Sequence, residues 1–120
     1  MVLTSHKDQL LVANFGSNTV SVIDTVNARE VGRIAVCQRP IDVATSFQHG
    51  SVQDGPELGY VSCFTDGSVA ILDINRRQEI QRITVGKQPL GVAAHPDGGR
   101  IHICVGDQIS CLSFKLVHQA

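Results

Sequence analysis

The sequence predicts an all-β protein: an incomplete β-propeller arc of about three blades, each with four antiparallel strands. Three observations support this fold class. The sequence repeats itself at a spacing of 49 residues. Each repeat divides into short runs of Val, Ile and Leu separated by turn residues, which is typical of β-strands. No segment shows a sustained helical period, and units of four strands in about 40 to 50 residues are typical of propeller blades.

The repeat is supported by 11 identities between residues 10–44 and the segment that follows 49 positions later, without a gap. The identities include Phe15 with Phe64 and Asp24 with Asp73. A third, partial copy follows, and the N-terminal segment fits the first-strand position of the unit. We therefore predict one unit, residues 1–120, with blades at about 1–36, 41–85 and 91–116.

Each strand of the first blade is predicted by its local pattern. Gln9–Asn14 and Thr19–Asp24 are rich in Val, Ile and Leu, and Gly16-Ser17-Asn18 between them is typical of a hairpin turn. Asp24 begins the next turn, where its carboxylate can accept backbone N–H groups. Glu30–Val36 mixes charged and apolar residues, as a half-exposed edge strand does.

The later blades are predicted to repeat these elements after a connector at Pro40, with two departures. The segment 47–59 is longer than the corresponding turn elsewhere. The third hairpin is shortened to Gly106-Asp107-Gln108, and Ser113 replaces the turn aspartate. The predicted strands cover residues 1–5, 9–14, 19–24, 30–36, 41–47, 58–63, 68–73, 79–85, 91–95, 100–105 and 109–116, so the last blade lacks its outer strand.

Three stretches, "VANFGSNTVSVIDT", "GRIAVCQRPIDVA" and "QRITVGKQPLGVAAHPDGGR", resemble the YVTN β-propeller repeat, and the resemblance covers nearly the whole chain. It implies a binding or interaction scaffold. Proteins of that family are often periplasmic, cell-surface or accessory proteins of redox systems, which implies a secreted setting. The lack of a visible signal peptide and the cysteines, if free, indicate the cytoplasm instead, so the localisation stays open.

Composition excludes some partners. The chain is 42% hydrophobic and 18% charged, as a packed globular protein is, and its net charge is -1. We therefore expect no nucleic-acid partner, since no long-range field attracts polyanions. No apolar run approaches the ~20 residues that span a bilayer, so we expect no membrane span.

The open arc has consequences for partners. A propeller needs at least about four blades to close. We expect two uncovered blade faces, both apolar, and such faces normally meet a partner. Three explanations stay open: missing blades of a longer parent chain, a homo-oligomer in which two chains complete a ring, or a gene remnant.

The connector face is the predicted binding site, because propeller ligands usually sit beside the connectors into the innermost strands and the second-to-third-strand hairpins. Arg39 and Lys87 lie in the connectors and could meet an anionic group of a protein partner or small ligand. Asn18, Asp66 and Asp107 lie in the hairpins. The alternative interpretation is that all five are solvated loop residues.

Catalytic chemistry has little support in the sequence. Gly16-Ser17-Asn18 lacks the spacing of a phosphate-binding loop, and a strand follows it. Asp24 recurs as Asp73, which indicates a structural role. The innermost strands offer only Asp42 and His95, and no catalytic triad can be placed together. We expect no catalytic residue and no cofactor; the alternative is a fragment of a propeller enzyme, either a lactonase-like hydrolase or a redox-associated dehydrogenase propeller.

The four cysteines are predicted to be reduced, buried thiols, because so apolar a chain needs no disulfide staples. His102, Cys104 and Cys111 form a weak metal candidate, since His102 and Cys104 alternate onto one strand face with Cys111 across the hairpin. No fourth ligand is evident. Cys63 is assigned the position equivalent to Cys104 in the repeat. The presence of a cysteine at both positions is explained by small buried thiols, so we expect no metal.

Overall fold

The structure is a computed structural model that describes residues 1–3, 9–47, 57–94, 100–106 and 110–115. Within these ranges the chain forms 11 strands and no helix. The strands are β1 (Val2–Leu3), β2 (Gln9–Asn14), β3 (Thr19–Asp24), β4 (Arg29–Ala35), β5 (Pro40–Phe47), β6 (Glu57–Cys63), β7 (Ser68–Asp73), β8 (Gln78–Thr84), β9 (Pro89–Ala94), β10 (Arg100–Val105) and β11 (Ser110–Lys115).

The strands form three antiparallel sheets in which neighbours along the chain pair side by side. The first blade has the order β1-β2-β3-β4 and the second the order β5-β6-β7-β8. Among the described residues the third blade has three strands, β9-β10-β11. The predicted fold class, an all-β incomplete propeller arc, is confirmed.

The 49-residue repeat is also visible in the backbone angles. Left-handed φ angles between 55° and 67° recur at equivalent positions, namely Asn18 with Gly67, Ala28 with Arg77, and Arg39 with Gln88. The register between the third and fourth strands shifts after Val22 in the first blade and after Ile71 in the second. Since 49 positions separate these two bulges, the repeat specifies irregular features as well as strands.

Two apolar cores lie between the blades, because strand side chains alternate between two faces. The core between the first and second blades includes Leu11, Val20, Val22, Ile34, Val61, Cys63, Ala70 and Leu72. The core between the second and third blades includes Tyr60, Val69, Ile71, Val92, Ile101, Ile103 and Val105. The second blade is therefore apolar on both faces.

The outer strands carry charged pairs that suit sheet edges. In β4 the Arg33 Nε lies 2.6 Å from the Glu30 carboxylate, and in β8 the Arg82 Nη2 lies 2.8 Å from that of Glu79. The hydrogen bond from Arg33 lowers the pKa of Glu30, and a hydrogen bond from Ser21 adds to the effect. The predicted half-exposed edge strand is confirmed.

The third blade has a different register from the predicted one. Val105 pairs with Ser110 as Cys63 pairs with Ser68, so four residues separate the strands in both hairpins. The predicted shortening of the third hairpin is therefore wrong. In these strands, equivalent positions of the second and third blades are therefore 42 residues apart. Lys115, and not Ser113, occupies the position that Asp73 has in the second blade.

The same register moves Cys104 to the repeat position of Ser62. Cys63 instead matches Val105, since Cys63 pairs with Pro40 where Val105 pairs with Pro89. A slip of one residue transfers a side chain to the opposite face of a sheet. Cys63 is buried, whereas Cys104 is exposed because it lies on the face that no described blade covers.

The prediction of four reduced, buried thiols is wrong. Cys37 is bonded to Cys63, and Cys104 to Cys111. The first bond joins the connector after β4 to the end of β6, which the fold brings together. The second joins residues directly opposite each other in β10 and β11.

The expectation of two apolar open faces is wrong for the third blade and holds only in part for the first. The described residues of β10 and β11 that face away from the second blade are exposed: Arg100, His102, Cys104, Cys111 and Ser113. On the outer face of the first blade, half-buried Leu10 and Val12 lie beside a polar network. Asn14 Nδ2 donates to Ser21 Oγ at 2.7 Å, and Ser21 Oγ donates to Glu30 at 2.8 Å.

Candidate functional site

The hairpins and connectors named by the sequence meet at one end of the arc. In the first blade Val36 N donates to Asn18 O at 3.1 Å, and in the second Val85 N donates to Gly67 O at 2.9 Å. Each bond joins a connector to the hairpin of its own blade. Phe64 N also donates to Arg39 O at 3.0 Å, which joins a connector to the hairpin of the next blade. We call this end of the arc the connector face.

Asn18 and Arg39 are brought together at the boundary of the first two blades. The Arg39 backbone N–H donates to Asn18 Oδ1 at 3.0 Å. The Arg39 guanidinium lies 5.5 Å from the centroid of the Phe15 ring, which is 49% exposed. This is the geometry of a cation–π contact, and it leaves the guanidinium at the surface.

Asp66 is engaged by two neighbouring elements. Its Oδ2 accepts a hydrogen bond from Gln38 N at 3.1 Å and lies 3.5 Å from Arg82 Nη1. The hydrogen bond to Glu79 raises the pKa of Arg82, and the charges of Glu79 and Asp66 add to this effect. Asp66 therefore positions the connector and balances Arg82.

Lys87 lies in an open cleft of 520 Å³ between the β6–β7 hairpin and the β8–β9 connector. The cleft is lined by Phe64, Thr65, Asp66, Gly67, Thr84, Gly86, Lys87 and Gln88. Lys87 is exposed. In the 49-residue repeat, Lys87 is equivalent to Gln38, and Arg39 is equivalent to Gln88. The two cations therefore stand at different positions of successive connectors.

The turn aspartates have structural roles, as predicted. Asp24 Oδ1 accepts hydrogen bonds from the backbone N–H groups of Val26 at 2.8 Å and Asn27 at 3.3 Å. Asp24 Oδ2 accepts from Asn27 Nδ2 at 2.8 Å. These bonds lower the pKa of Asp24, with the Asn27 side chain the largest cause. Asp73 caps the equivalent turn through Arg76 N at 3.1 Å.

The innermost-strand candidate Asp42 is also part of the framework. Its Oδ2 accepts a hydrogen bond from Val92 N at 3.2 Å, which joins the innermost strands of the second and third blades. Next to it, buried Ser62 Oγ accepts from Asp42 N at 3.1 Å and donates to Leu90 O at 2.5 Å. These groups hold two blades together. The other candidate, His95, lies outside the described residues.

The weak metal candidate is not assembled as a ligand set, because Cys104 and Cys111 are bonded to each other. In the parts of the chain that the structure describes, no cluster of three or more His, Cys, Asp or Glu side chains could hold a metal ion. His102 lies on the same face as Cys104, opposite Ser113. Asp107, the last predicted binding residue, lies outside the described residues.

Two aromatic residues of the connector face were not predicted as site residues. Phe15 lies under Arg39, and Phe64 lines the cleft. The signal was present in the sequence, since these residues are identical under the repeat and stand next to a turn. Recurrence alone, however, did not distinguish a surface position from a structural one, since Asp24 and Asp73 recur in the same way.

Comparison with solved structures gives three informative likenesses. Hydrazine synthase of Kuenenia stuttgartiensis has a TM-score of 0.70 at 24% identity, over 95% of this chain and 34% of that chain. The dihydro-heme d1 dehydrogenase NirN, in complex with DHE, has a TM-score of 0.58 at 17% identity, over 88% and 23%. U3-55K has a TM-score of 0.62 at 14% identity, over 94% and 35%.

At these identities the likenesses support the propeller fold alone. The chain spans about a third of the hydrazine synthase and U3-55K chains, and less of NirN. No protein-family model matches the chain, and a search of curated proteins finds no match. The similarity to the YVTN repeat therefore remains one of sequence motifs.

Within the described residues, no helix is long and apolar enough to cross a membrane.

Proposed function

We propose that this chain is a non-catalytic, YVTN-type propeller segment that binds a partner through an anionic group at the connector face. The observation that carries the proposal is the open 520 Å³ cleft beside exposed Lys87. Sites for small groups are concave and combine apolar walls with a few polar groups. This cleft has an aromatic wall at Phe64, hydroxyl groups at Thr65 and Thr84, and the ammonium group of Lys87.

The charges around the cleft favour an anion over a cation. The Asp66 carboxylate is engaged by Gln38 N and Arg82. The guanidinium of Arg39 and the ammonium group of Lys87 are exposed. A carboxylate of a partner would gain charge-assisted hydrogen bonds from these groups, which are stronger than bonds between neutral groups.

The proposal includes no covalent step, since the polar groups at this face serve the framework. Asn18 and Asp66 accept hydrogen bonds from the connector backbone. Asp42 is likewise used in joining two blades. The face thus offers hydrogen-bonded loops with exposed cations at Arg39 and Lys87, which suits docking.

A titration with a hexaglutamate peptide, followed by backbone amide NMR, tests the proposal at low ionic strength. We expect shifts confined to residues 64–67 and 84–88 and to the neighbourhood of Arg39. Lys87→Gln together with Arg39→Gln should weaken binding roughly tenfold. Arg76→Gln is a matched control, because Arg76 is exposed at the opposite end of the second blade. Equal weakening by the control, or shifts spread over both ends, would contradict the connector-face site.

A propeller enzyme is the second candidate, because two of the solved structures that this chain resembles are a hydrazine synthase and a dihydro-heme d1 dehydrogenase. In that case the connector face would hold a substrate while residues outside this chain perform the chemistry. Lactone hydrolysis, assayed with and without divalent metal on the longest natural chain that contains this segment, separates the two. Turnover that Lys87→Gln removes would contradict the non-catalytic proposal.

A further inference from the structure

The two disulfide bonds lie in opposite surroundings. Cys37 and Cys63 are 2% and 0% exposed and belong to the core between the first two blades. Cys104 and Cys111 are both exposed. A thiol reagent can therefore reach the second bond in the folded protein, whereas the first is covered by packed side chains.

The exposed bond lies on the outer face of the third blade. Cys104 and Cys111 are directly opposite in β10 and β11, seven positions apart in the sequence. Ile101 and Ile103 of β10 point the other way, into the core. On the outer face, small Ala93 of β9 pairs with His102 and is itself exposed.

We infer that Cys104–Cys111 is a reversible thiol–disulfide exchange site whose substrate is a dithiol, while Cys37–Cys63 is a structural bond. A thiolate of the dithiol attacks the Sγ of one cysteine, and the Sγ–Sγ bond breaks. The other cysteine leaves as a thiolate and takes a proton from water. The second sulfur of the dithiol, as a thiolate, then attacks its own partner sulfur in the mixed disulfide, and the first cysteine leaves as a thiolate that takes up a proton. The dithiol is thereby oxidised by two electrons to a cyclic disulfide, and the two cysteines are reduced.

The place of the bond in the sheet gives the exchange a structural consequence. In the second blade β7 is paired on both sides, by β6 and β8. In the described part of the third blade β11 pairs only with β10. The disulfide is therefore a covalent link between β11 and the rest of the sheet, and reduction leaves β11 held by noncovalent contacts. The exchange site therefore controls how firmly β11 is held to β10.

Differential alkylation on the native protein tests the inference. The oxidised protein is treated with dithiothreitol, quenched and alkylated at intervals, and digested with trypsin. Arg39 precedes Pro40, so cleavage there is blocked and residues 34–76 carry both buried cysteines. Residues 101–115 carry both exposed ones. Circular dichroism on the same samples establishes that the protein stays folded.

We expect residues 101–115 to become doubly alkylated roughly tenfold or more faster than residues 34–76, because exchange depends on access. Oxidised glutathione should restore the exposed bond without loss of the fold. Equal rates, faster reduction of residues 34–76, or reduction of residues 101–115 only upon unfolding would each overturn the inference.

Hydrogen exchange supplies a second, independent readout. After selective reduction, the amides of residues 110–115 should exchange faster, whereas those of residues 68–73 should not change. The two segments are equivalent third strands, so the second blade is an internal control. Cys104→Ser with Cys111→Ser should reproduce the fast exchange without any reductant. Unchanged exchange in both cases would show that the bond does not hold β11.

Discussion

The second and third blades place different side chains at equivalent strand positions. Along the face that points onward around the arc, the second strand of the second blade has Leu58, Tyr60 and Ser62, all buried. The same positions of the third blade hold Arg100, His102 and Cys104, all exposed. The backbone repeats while the side chains change, so the residue type follows from whether a neighbouring blade covers the position.

The largest expected contrast is between Tyr60→Ala and His102→Ala. Tyr60 is 0% exposed in the core between the second and third blades, and truncating a buried aromatic side chain costs about 3–5 kcal/mol. His102 occupies the equivalent exposed position, where truncation changes the free energy of unfolding by about 0.5 kcal/mol or less. Urea unfolding followed by circular dichroism measures both. A comparable loss in the two variants would show that the face around His102 is covered in solution.

The sequence was sufficient to predict most of the fold. The 49-residue spacing placed the strands of the first two blades, and the turn role of Asp24 and Asp73 followed from their recurrence. Such predictions succeed because local patterns and turn residues are fixed by the chain itself.

The third blade could be predicted less well. Its first strand continues the spacing of 49, but its second and third strands follow a spacing of 42, because segment 48–56 lengthens the second blade only. Matching Cys104 with Cys63 was a one-residue error that placed its side chain on the wrong face. The disulfides were missed for a different reason: the apolar composition was taken to make them unnecessary, although Cys111 was already placed across the hairpin from Cys104.

The candidate site was predicted as separate residues and not as contacts. Arg39 and Lys87 were both placed at the connector face. The sequence could not show that Arg39 stacks on Phe15 or that Asp66 is already engaged by Gln38 N, because these contacts join elements about 25 residues apart. The cleft is a product of packing between a hairpin and a connector.

A second comparison concerns the buried serine of the second blade. Ser62 accepts a hydrogen bond from Asp42 N and donates one to Leu90 O in the third blade. The equivalent residue of the first blade is Ala13. Ser62→Ala removes the hydrogen-bond partner of both backbone groups. We therefore expect the free energy of unfolding to fall by about 1–3 kcal/mol.

Ala13→Ser is the matched control for Ser62→Ala, since it introduces the hydroxyl at the equivalent position of the first blade. Chemical denaturation should show little or no stabilisation by Ala13→Ser. A loss of less than about 0.5 kcal/mol for Ser62→Ala would indicate that the two backbone groups find other partners.

The smallest expected effect distinguishes the turns of the first two blades at low pH. Asn27 lowers the pKa of Asp24 through its side chain, whereas the repeat places Arg76 at the equivalent position of the second turn. A lowered folded-state pKa contributes stability that is fully present above the ordinary value of 3.8 and is lost as the pH falls through the folded-state value. Asn27→Ala should therefore raise the pKa of Asp24 towards 3.8 and reduce the stability that is lost as the pH falls from 3.8 to the folded-state pKa. Carboxyl-carbon NMR titration of Asp24 measures the shift directly, and an unchanged titration curve in Asn27→Ala would assign the lowering to the backbone N–H groups of Val26 and Asn27 and to the charge of Arg29.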